Sequence, residues 1–199
     1  VCGSDVHGYD RMGEGQRILG HENLGFIYKI GANASKKWGV VEGDRVALES
    51  HIYCGTCRAC RQGRAHLCQD TRYPGIDIDG GFAEYVTVPA RIAWVNPPDL
   101  PHETAAMMEP FGIAVHASLA GSGVAGQSVL VNGCGPIGLM TVAAAHALGA
   151  LRVIACDVNP VRLAAAERMG AERIANAAEG ELASVVADAT AGEGVDVGI

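Results

Sequence analysis

The sequence has few aromatic residues, few basic residues and no long uninterrupted apolar run. Aromatic side chains make up 5% of the 199 residues, whereas glycine occurs 27 times, which favours tight turns and close backbone approaches. There are 15 basic and 22 acidic residues, so the net charge of −7 disfavours phosphate-backbone binding. The longest apolar stretch, 137–151, is interrupted by Gly138, His146 and Gly149, and is shorter than the roughly 20 residues of a membrane span. We therefore expect a globular protein that binds neither nucleic acid nor a membrane.

The number of cysteines is odd, and they are unevenly distributed along the sequence. Four of the seven cysteines lie within fifteen residues, at Cys54, Cys57, Cys60 and Cys68. Half-cystines two residues apart cannot readily pair, and a chain of this length does not need disulfides to hold a core. Clustered cysteines then indicate a metal site in a reducing compartment, so we expect a cytoplasmic protein.

The spacing of these cysteines, C-x2-C-x2-C-x7-C, favours zinc over the alternatives. Four thiolates can close a tetrahedral site that leaves no position for substrate, and such zinc is structural. The bacterial iron–sulfur run has a three-residue last gap followed by proline, whereas here the gap is seven residues and Gln69 follows. Four unrelated buried cysteines are the remaining alternative.

The two parts of the chain have different patterns. The first part is rich in turns and has predicted strands at 24–30, 45–49 and 82–88. From residue 128, short apolar runs alternate with helical segments, which is typical of parallel βαβ units. We therefore predict an α/β protein with a β-rich domain over residues 1–117 and part of a doubly wound parallel sheet over residues 118–199.

A glycine-rich turn opens the second part. Gly133, Gly135 and Gly138 form a G-x-G-x-x-G run that follows a predicted strand and begins a predicted helix, the context of a pyrophosphate-binding turn. Pro136 and Ile137 complete the run. Nineteen residues after Gly138, Asp157 ends the next predicted strand, and an acid there favours NAD over NADP. Arg162 lies five residues further on and could contact the adenosine side. A glycine-rich turn without a nucleotide is the alternative.

A third set of candidate residues is dispersed along the chain, at Cys2, His21, Glu22 and Glu109. Cysteine and histidine are good zinc ligands, and a site with one open position is catalytic. Spacing alone does not select these residues, because a histidine beside a glutamate is more often a satisfied polar pair.

Several short runs, in order along the whole chain, resemble the zinc-containing medium-chain alcohol dehydrogenase family. They are CGSDVH at 2–7, GHE at 20–22, GDRV at 43–46, GFAEY at 81–85 and the GCGPIG turn, together with the cysteine cluster. The opening run and EPFGIAVH at 109–116 resemble its L-threonine and polyol (sorbitol) dehydrogenase branch most. The resemblance implies that the first domain is GroES-like and the second a Rossmann domain.

The resemblance also implies roles for the dispersed residues. Cys2 and His21 would bind a catalytic zinc, with Glu22 and Glu109 as carboxylates that ligate it directly or through water exchange. Asp5 would accept a hydrogen bond from the imidazole of His21. By the same resemblance, Ser4 and His7 form a proton relay, and His51 matches a histidine of threonine dehydrogenases, with an ordinary polar loop residue as the alternative.

The function that the resemblance implies is zinc-dependent transfer of hydride from a secondary alcohol to NAD, with L-threonine at its 3-hydroxyl as the leading substrate. A polyol or other secondary alcohol is the alternative within the same chemistry, and a zinc-binding module without enzymatic activity is the alternative from another class. We expect the chain to lack both ends of the family's full length, and residues 1–199 alone to fold poorly and be inactive. We expect the full-length protein to be a homo-oligomer.

Overall fold

The computed structural model describes residues 1–11 and 17–199 and divides them into two compact units. The first unit comprises residues 1–109 and the second residues 110–199. The predicted domain boundary at residues 117 and 118 stays a prediction. No helix in the described part of the chain is long and apolar enough to cross a membrane.

The first unit is built on a small antiparallel sheet. Its strands are β1 (Leu24–Phe26), β2 (Arg45–Leu48) and β3 (Ala93–Val95), in the order β1-β2-β3. Its helices are α1 (Gly3–Arg11), α2 (Ala32–Trp38), α3 (Arg58–Arg61) and α4 (His102–Ala106), with single 3-10 turns at Ala65–Leu67 and Ala90–Ile92. Val46 pairs with Gly25 on one side and with Val95 on the other, so β2 is the central strand. Val46, Leu48 and Ile92 form the buried core under this sheet.

The predicted strand at residues 82–88 is wrong. Within the described residues, 83–88 form no strand ladder and lie beside β1 along a cleft of about 510 Å³. The rings of Tyr85 and of Tyr28, two residues after β1, lie 5.2 Å apart between centroids. The predicted strand at 24–30 also shortens to Leu24–Phe26, and Ile27 exchanges backbone hydrogen bonds with Gly43 and Asp44 at the turn before β2.

The second unit is a four-stranded parallel sheet with helices between its strands. The helix α5 (Met108–Leu119) begins at the end of the first unit. The further elements are β4 (Ser128–Asn132), α6 (Pro136–Ala147), β5 (Arg152–Asp157), α7 (Pro160–Arg168), β6 (Arg173–Asn176), α8 (Leu182–Ala189) and β7 (Val197–Gly198), with a 3-10 turn at Ala177–Glu179. The strand order β6-β5-β4-β7 is the crossover pattern of a doubly wound sheet. The predicted alternation of strands and helices from residue 128 onward is confirmed.

The core of the second unit explains why the middle of its two central strands is apolar. Val129 pairs with Val153 in the register of β4 and β5, and both side chains are fully buried. Val142 of α6 and Leu163 of α7 belong to the same buried cluster. Helices therefore cover this sheet, as parallel strands require, and the carboxyl ends of β4 and β5 emerge side by side.

Candidate functional site

The four clustered cysteines converge on one point. Their ligand atoms all lie within 4.8 Å of one another, and Cys54 Sγ is 4.0 Å from Cys60 Sγ. Four sulfurs placed about 2.3 Å from a tetrahedral zinc ion would be about 3.8 Å apart. The short helix α3 and the 3-10 turn Ala65–Leu67 bring the sulfurs together within one segment, residues 54–68, which we call the cysteine lobe. Both the donor set and its spacing fit a zinc ion.

Backbone N–H groups in the cysteine lobe point at the sulfurs. The N–H groups of Thr56 and Cys57 donate to Cys54 Sγ at 3.4 and 3.3 Å, and the N–H of Cys54 donates to Cys68 Sγ at 3.4 Å. The bonds from Thr56 and Cys57 lower the pKa of the Cys54 thiol to about 6. Desolvation is the main reason why the pKa of Cys60 is raised to about 12. Since thiolates bind metal, the lowered pKa of Cys54 favours the form of this side chain that binds a cation.

A second potential metal-binding group lies at the start of the chain. The ligand atoms of Cys2, His21 and Glu22 lie within 4.8 Å of one another. The imidazole of His21 is buried, and its Nδ1 makes no aligned hydrogen bond with any described residue. A buried imidazole beside a thiol and a carboxylate fits a metal such as zinc, and three protein ligands would leave an open position.

The carboxylate of Asp5 contacts both Cys2 and His21 of this group. It is the third residue of α1, and its Oδ2 accepts from the N–H of Cys2 at 2.7 Å, as an acid does in a helix capping box. Its Oδ1 accepts from the N–H of Gly20 at 3.2 Å and lies 3.3 Å from Nδ1 of His21. One buried carboxylate therefore contacts Cys2, Gly20 and His21.

The backbone before His21 is backed by a second glycine-rich segment. Gly20 has a φ of +99°, a conformation that favours glycine. Gly80 donates to the carbonyl of Ile18 at 2.7 Å, and Gly81 donates to the carbonyl of Gly20 at 2.9 Å. A Cβ atom at Gly80 would collide with the carbonyl oxygen of Gly20. The glycines at 80 and 81 therefore allow their segment to contact the backbone at residues 18–20, which directly precedes His21.

The remaining candidate residues are Glu109, Ser4 and His7. Among the described residues, Glu109 is not a member of the Cys2 group; Ser50 Oγ donates to its Oε1 at 2.6 Å. Ser4 and His7 are both exposed and three residues apart on α1, so they share one helix face. Metal binding by Glu109 and the relay through Ser4 and His7 stay predictions.

The glycine-rich turn joins β4 to α6. Gly133 has a φ of +104° and donates to the carbonyl of Cys156 at 2.7 Å. Pro136 is the first residue of α6, where its missing N–H has no consequence. A Cβ atom at Gly138 would collide with the carbonyl oxygen of Gly133, so this glycine allows the helix to pack against the turn. The helix N-terminus is left open to an anion, as a pyrophosphate requires.

Asp157 holds this turn from the end of β5. Its Oδ2 accepts from the N–H of Cys134 at 2.7 Å, and its Oδ1 accepts from the N–H of Asn159 at 2.8 Å. Desolvation raises the pKa of the Asp157 carboxyl, but these N–H groups outweigh it, so that the pKa is lowered overall. Arg162 Nη1 lies 3.9 Å from Oδ2. The site therefore carries a buried, ionised carboxylate beside the turn.

Sequence reasoning missed three residues that support these sites. Ser50 contacts Glu109 from a position 59 residues away, which no local motif could indicate. Asn159 caps α7 by accepting from the N–H of Val161 at 2.9 Å, and its place before Pro160 is a recognisable helix-start signal. Gly80 could have been noticed from the closely spaced glycines at 75, 80 and 81.

Comparison with known families finds two models that match this chain. The alcohol dehydrogenase GroES-like domain matches residues 1–99, and the zinc-binding dehydrogenase model matches residues 136–199. The L-threonine 3-dehydrogenase of Pyrococcus horikoshii is 42% identical in an alignment 203 residues long, and the alignment covers 99% of this chain and 57% of that protein. The chain thus spans a little over half the length of this relative.

Two solved structures resemble the fold closely. An alcohol dehydrogenase of Escherichia coli CFT073 complexed with NADH has a TM-score of 0.84 at 35% identity, covering 95% of this chain and 56% of that one. A zinc-binding dehydrogenase of Sinorhizobium meliloti 1021 bound to NADP has a TM-score of 0.88 at 33% identity, covering 100% of this chain and 58% of that one.

Proposed function

The chain belongs to the zinc-containing medium-chain alcohol dehydrogenase family, and from this we propose that the protein transfers hydride from a secondary alcohol to NAD, with L-threonine at its 3-hydroxyl as the leading substrate. The observation that carries the proposal is the Cys2–His21–Glu22 group, in a chain that also has the glycine-rich turn. A zinc-binding module without activity would need only the cysteine lobe. Threonine dehydrogenase relatives at about 42% identity support the choice of substrate.

The chemistry of alcohol oxidation suits the Cys2 group. A hydride leaves a carbinol carbon only as the hydroxyl loses its proton, and a zinc ion bound by Cys2, His21 and Glu22 would supply the Lewis acidity that makes the alcohol acidic. Asp5 holds His21 and the backbone of Cys2 in place. The hydroxyl of Ser4 would accept the proton of the alcohol as it gives its own proton to His7, and His7, exposed one turn further along α1, would release a proton to solvent.

The glycine-rich turn and Asp157 would hold the cofactor. The N-terminus of α6 offers N–H groups and a positive dipole end to the pyrophosphate. Asp157 would accept hydrogen bonds from the ribose hydroxyls, and Arg162 lies close enough to contact the adenosine side. We further propose that the full-length protein is a cytoplasmic homo-oligomer.

Replacing Asp157 with serine should shift cofactor preference from NAD towards NADP. A buried carboxylate repels a 2′-phosphate, so its removal should lower the NAD-to-NADP ratio of kcat/KM at least about tenfold. Steady-state kinetics with both cofactors measure this ratio. Asp188→Ser, which changes an exposed acid on α8, is the control and should leave the ratio unchanged. Equal use of both cofactors by the unmodified protein would refute the assignment.

Replacing Ser4 with alanine should lower kcat about a hundredfold while leaving NADH affinity unchanged, because the lost interaction exists only as the proton moves. His7→Ala should have a smaller effect that added imidazole partly restores, since solvent can replace an outer relay member. Single-turnover rates and NADH fluorescence titrations separate the two quantities. An unchanged rate and pH profile in Ser4→Ala would remove Ser4 from the mechanism.

The function itself is tested by a substrate panel on the zinc-loaded full-length protein, with NADH formation as the readout. L-threonine, sorbitol, galactitol and simple secondary alcohols form the panel. We expect the highest kcat/KM with L-threonine. A higher value with a polyol would move the assignment to the polyol alternative, and no NADH with any alcohol in a protein that retains two zinc ions would refute dehydrogenase activity.

A further inference from the structure

Ser50 lies in a cluster of polar side chains outside the Cys2 group, together with Glu109 and His51. It follows β2 by two residues, and only 4% of its surface is exposed. Its Oγ lies 2.6 Å from Oε1 of Glu109, the second residue of α5. Because an ionised carboxylate can only accept, the hydroxyl of Ser50 is the donor, and such a charge-assisted bond is shorter and stronger than one between neutral groups.

The imidazole of His51 lies on the other side of Ser50 and is engaged with Glu49. Nδ1 of His51 lies 2.8 Å from Oε1 of Glu49 and 3.4 Å from Oγ of Ser50. The ring of His51 also contacts that of Tyr73 edge-on, with 4.9 Å between centroids. The close carboxylate of Glu49 draws the proton of Nδ1 towards itself. The hydroxyl proton of Ser50 is therefore left for Glu109.

We propose that Ser50 is a positioning residue for Glu109. A glutamate side chain has three rotatable bonds, and anchoring one carboxylate oxygen to a buried hydroxyl limits it to a single arrangement. This inference rests on the proposed function and on the role as a carboxylate of the catalytic zinc site that the family resemblance implies for Glu109. It assigns to Ser50 a role that neither the cysteine lobe nor the Cys2 group requires.

The bond has the properties of a positioning contact rather than of general packing. Ser50 and Glu109 are 59 residues apart, so their contact joins the end of β2 to the start of α5. Ser118, by contrast, is equally buried but donates to the carbonyl of Ala114 within α5, at 2.8 Å. The two serines differ in their acceptor, a side-chain carboxylate in one case and a helix carbonyl in the other. Ser118→Ala is therefore a matched control.

A double-mutant cycle on the zinc-loaded full-length protein tests the proposal. The variants are Ser50→Ala, Glu109→Ala, the double variant, the hydroxyl-retaining Ser50→Thr and the control Ser118→Ala. The readouts are kcat and KM for L-threonine and, independently of activity, the rate at which a chelator captures the more labile zinc. Thermal unfolding of each variant shows whether it is folded.

We expect Ser50→Ala to lower kcat about tenfold with little change in KM, and to change the rate of zinc capture in the same direction as Glu109→Ala. In the Glu109→Ala background, Ser50→Ala should have no further effect on either readout. Ser50→Thr should restore at least half of the lost rate, and Ser118→Ala should leave both readouts unchanged.

Additive effects of Ser50→Ala and Glu109→Ala would overturn the proposal, as would a Ser50→Thr variant no better than Ser50→Ala. A wild-type protein that oxidises none of the alcohols would instead refute the proposed function. The zinc-capture cycle would still decide whether Ser50 acts through Glu109.

Discussion

Replacing Cys57 with serine will lower the zinc content of the full-length protein from two ions per chain to one. The site in the cysteine lobe is closed, because its four sulfurs lie within 4.8 Å of one another and leave no position for another ligand. Serine offers a neutral hydroxyl in place of a soft thiolate, so the remaining three cysteines should lose the metal. Because structural zinc contributes to folding directly, we expect the melting temperature to fall by at least about 10 °C.

Metal analysis of the purified variant measures this outcome. Cys2→Ser is the matched comparison, because it should also remove one zinc but should abolish activity with a much smaller change in melting temperature. In the unmodified protein, a chelator should remove activity before it unfolds the chain, since the Cys2 group has mixed ligands and an open position. A single zinc in the unmodified protein that is retained in Cys57→Ser would contradict the two-site assignment.

Replacing Asp5 with alanine will weaken zinc binding at the Cys2 group about 10- to 100-fold, although Asp5 is not itself in the predicted ligand set. The substitution removes the acceptor for the N–H groups of Cys2 and Gly20 and the carboxylate beside His21. Partners that orient metal ligands contribute to affinity on this scale. Leaving buried N–H groups without an acceptor should also destabilise the start of α1.

Competition with a chelating dye measures the zinc affinity of this variant, and metal analysis confirms that the cysteine lobe keeps its ion. Asp10→Ala is the control, because Asp10 is an exposed acid on the same helix and changes the net charge equally. Equal losses in Asp5→Ala and Asp10→Ala would mean that charge, rather than the contacts of Asp5, is responsible. No loss in either variant would remove Asp5 from the metal site.

Features that depend on nearby residues were predicted well from the sequence. The strand at 128–132 and the helix beginning at Pro160 follow from local apolar runs and turn signals, and the structure has both. The sulfurs of Cys54 and Cys68 meet because only thirteen residues separate them in the sequence. In these cases the physical cause lies within one short segment of the chain.

Features that depend on distant residues were not predictable in this way. The segment 82–88 has the composition of a strand, but pairing depends on which backbone lies beside it, and here the aromatic side chains make the contact. The bond from Ser50 to Glu109 joins residues that no period or motif connects. Gly80 lies against the backbone of Gly20. This contact forms only in the folded chain, because the two segments are far apart in the sequence.

The compactness of the cysteine lobe has a consequence for the order of events during synthesis. All four sulfurs and the N–H groups that point at them come from residues 54–68, so metal capture requires no contact with chain made later. Domains fold from the N-terminus as the chain is synthesised, and local contacts form fastest. The lobe can therefore bind its ion while β4 to β7 are still being translated.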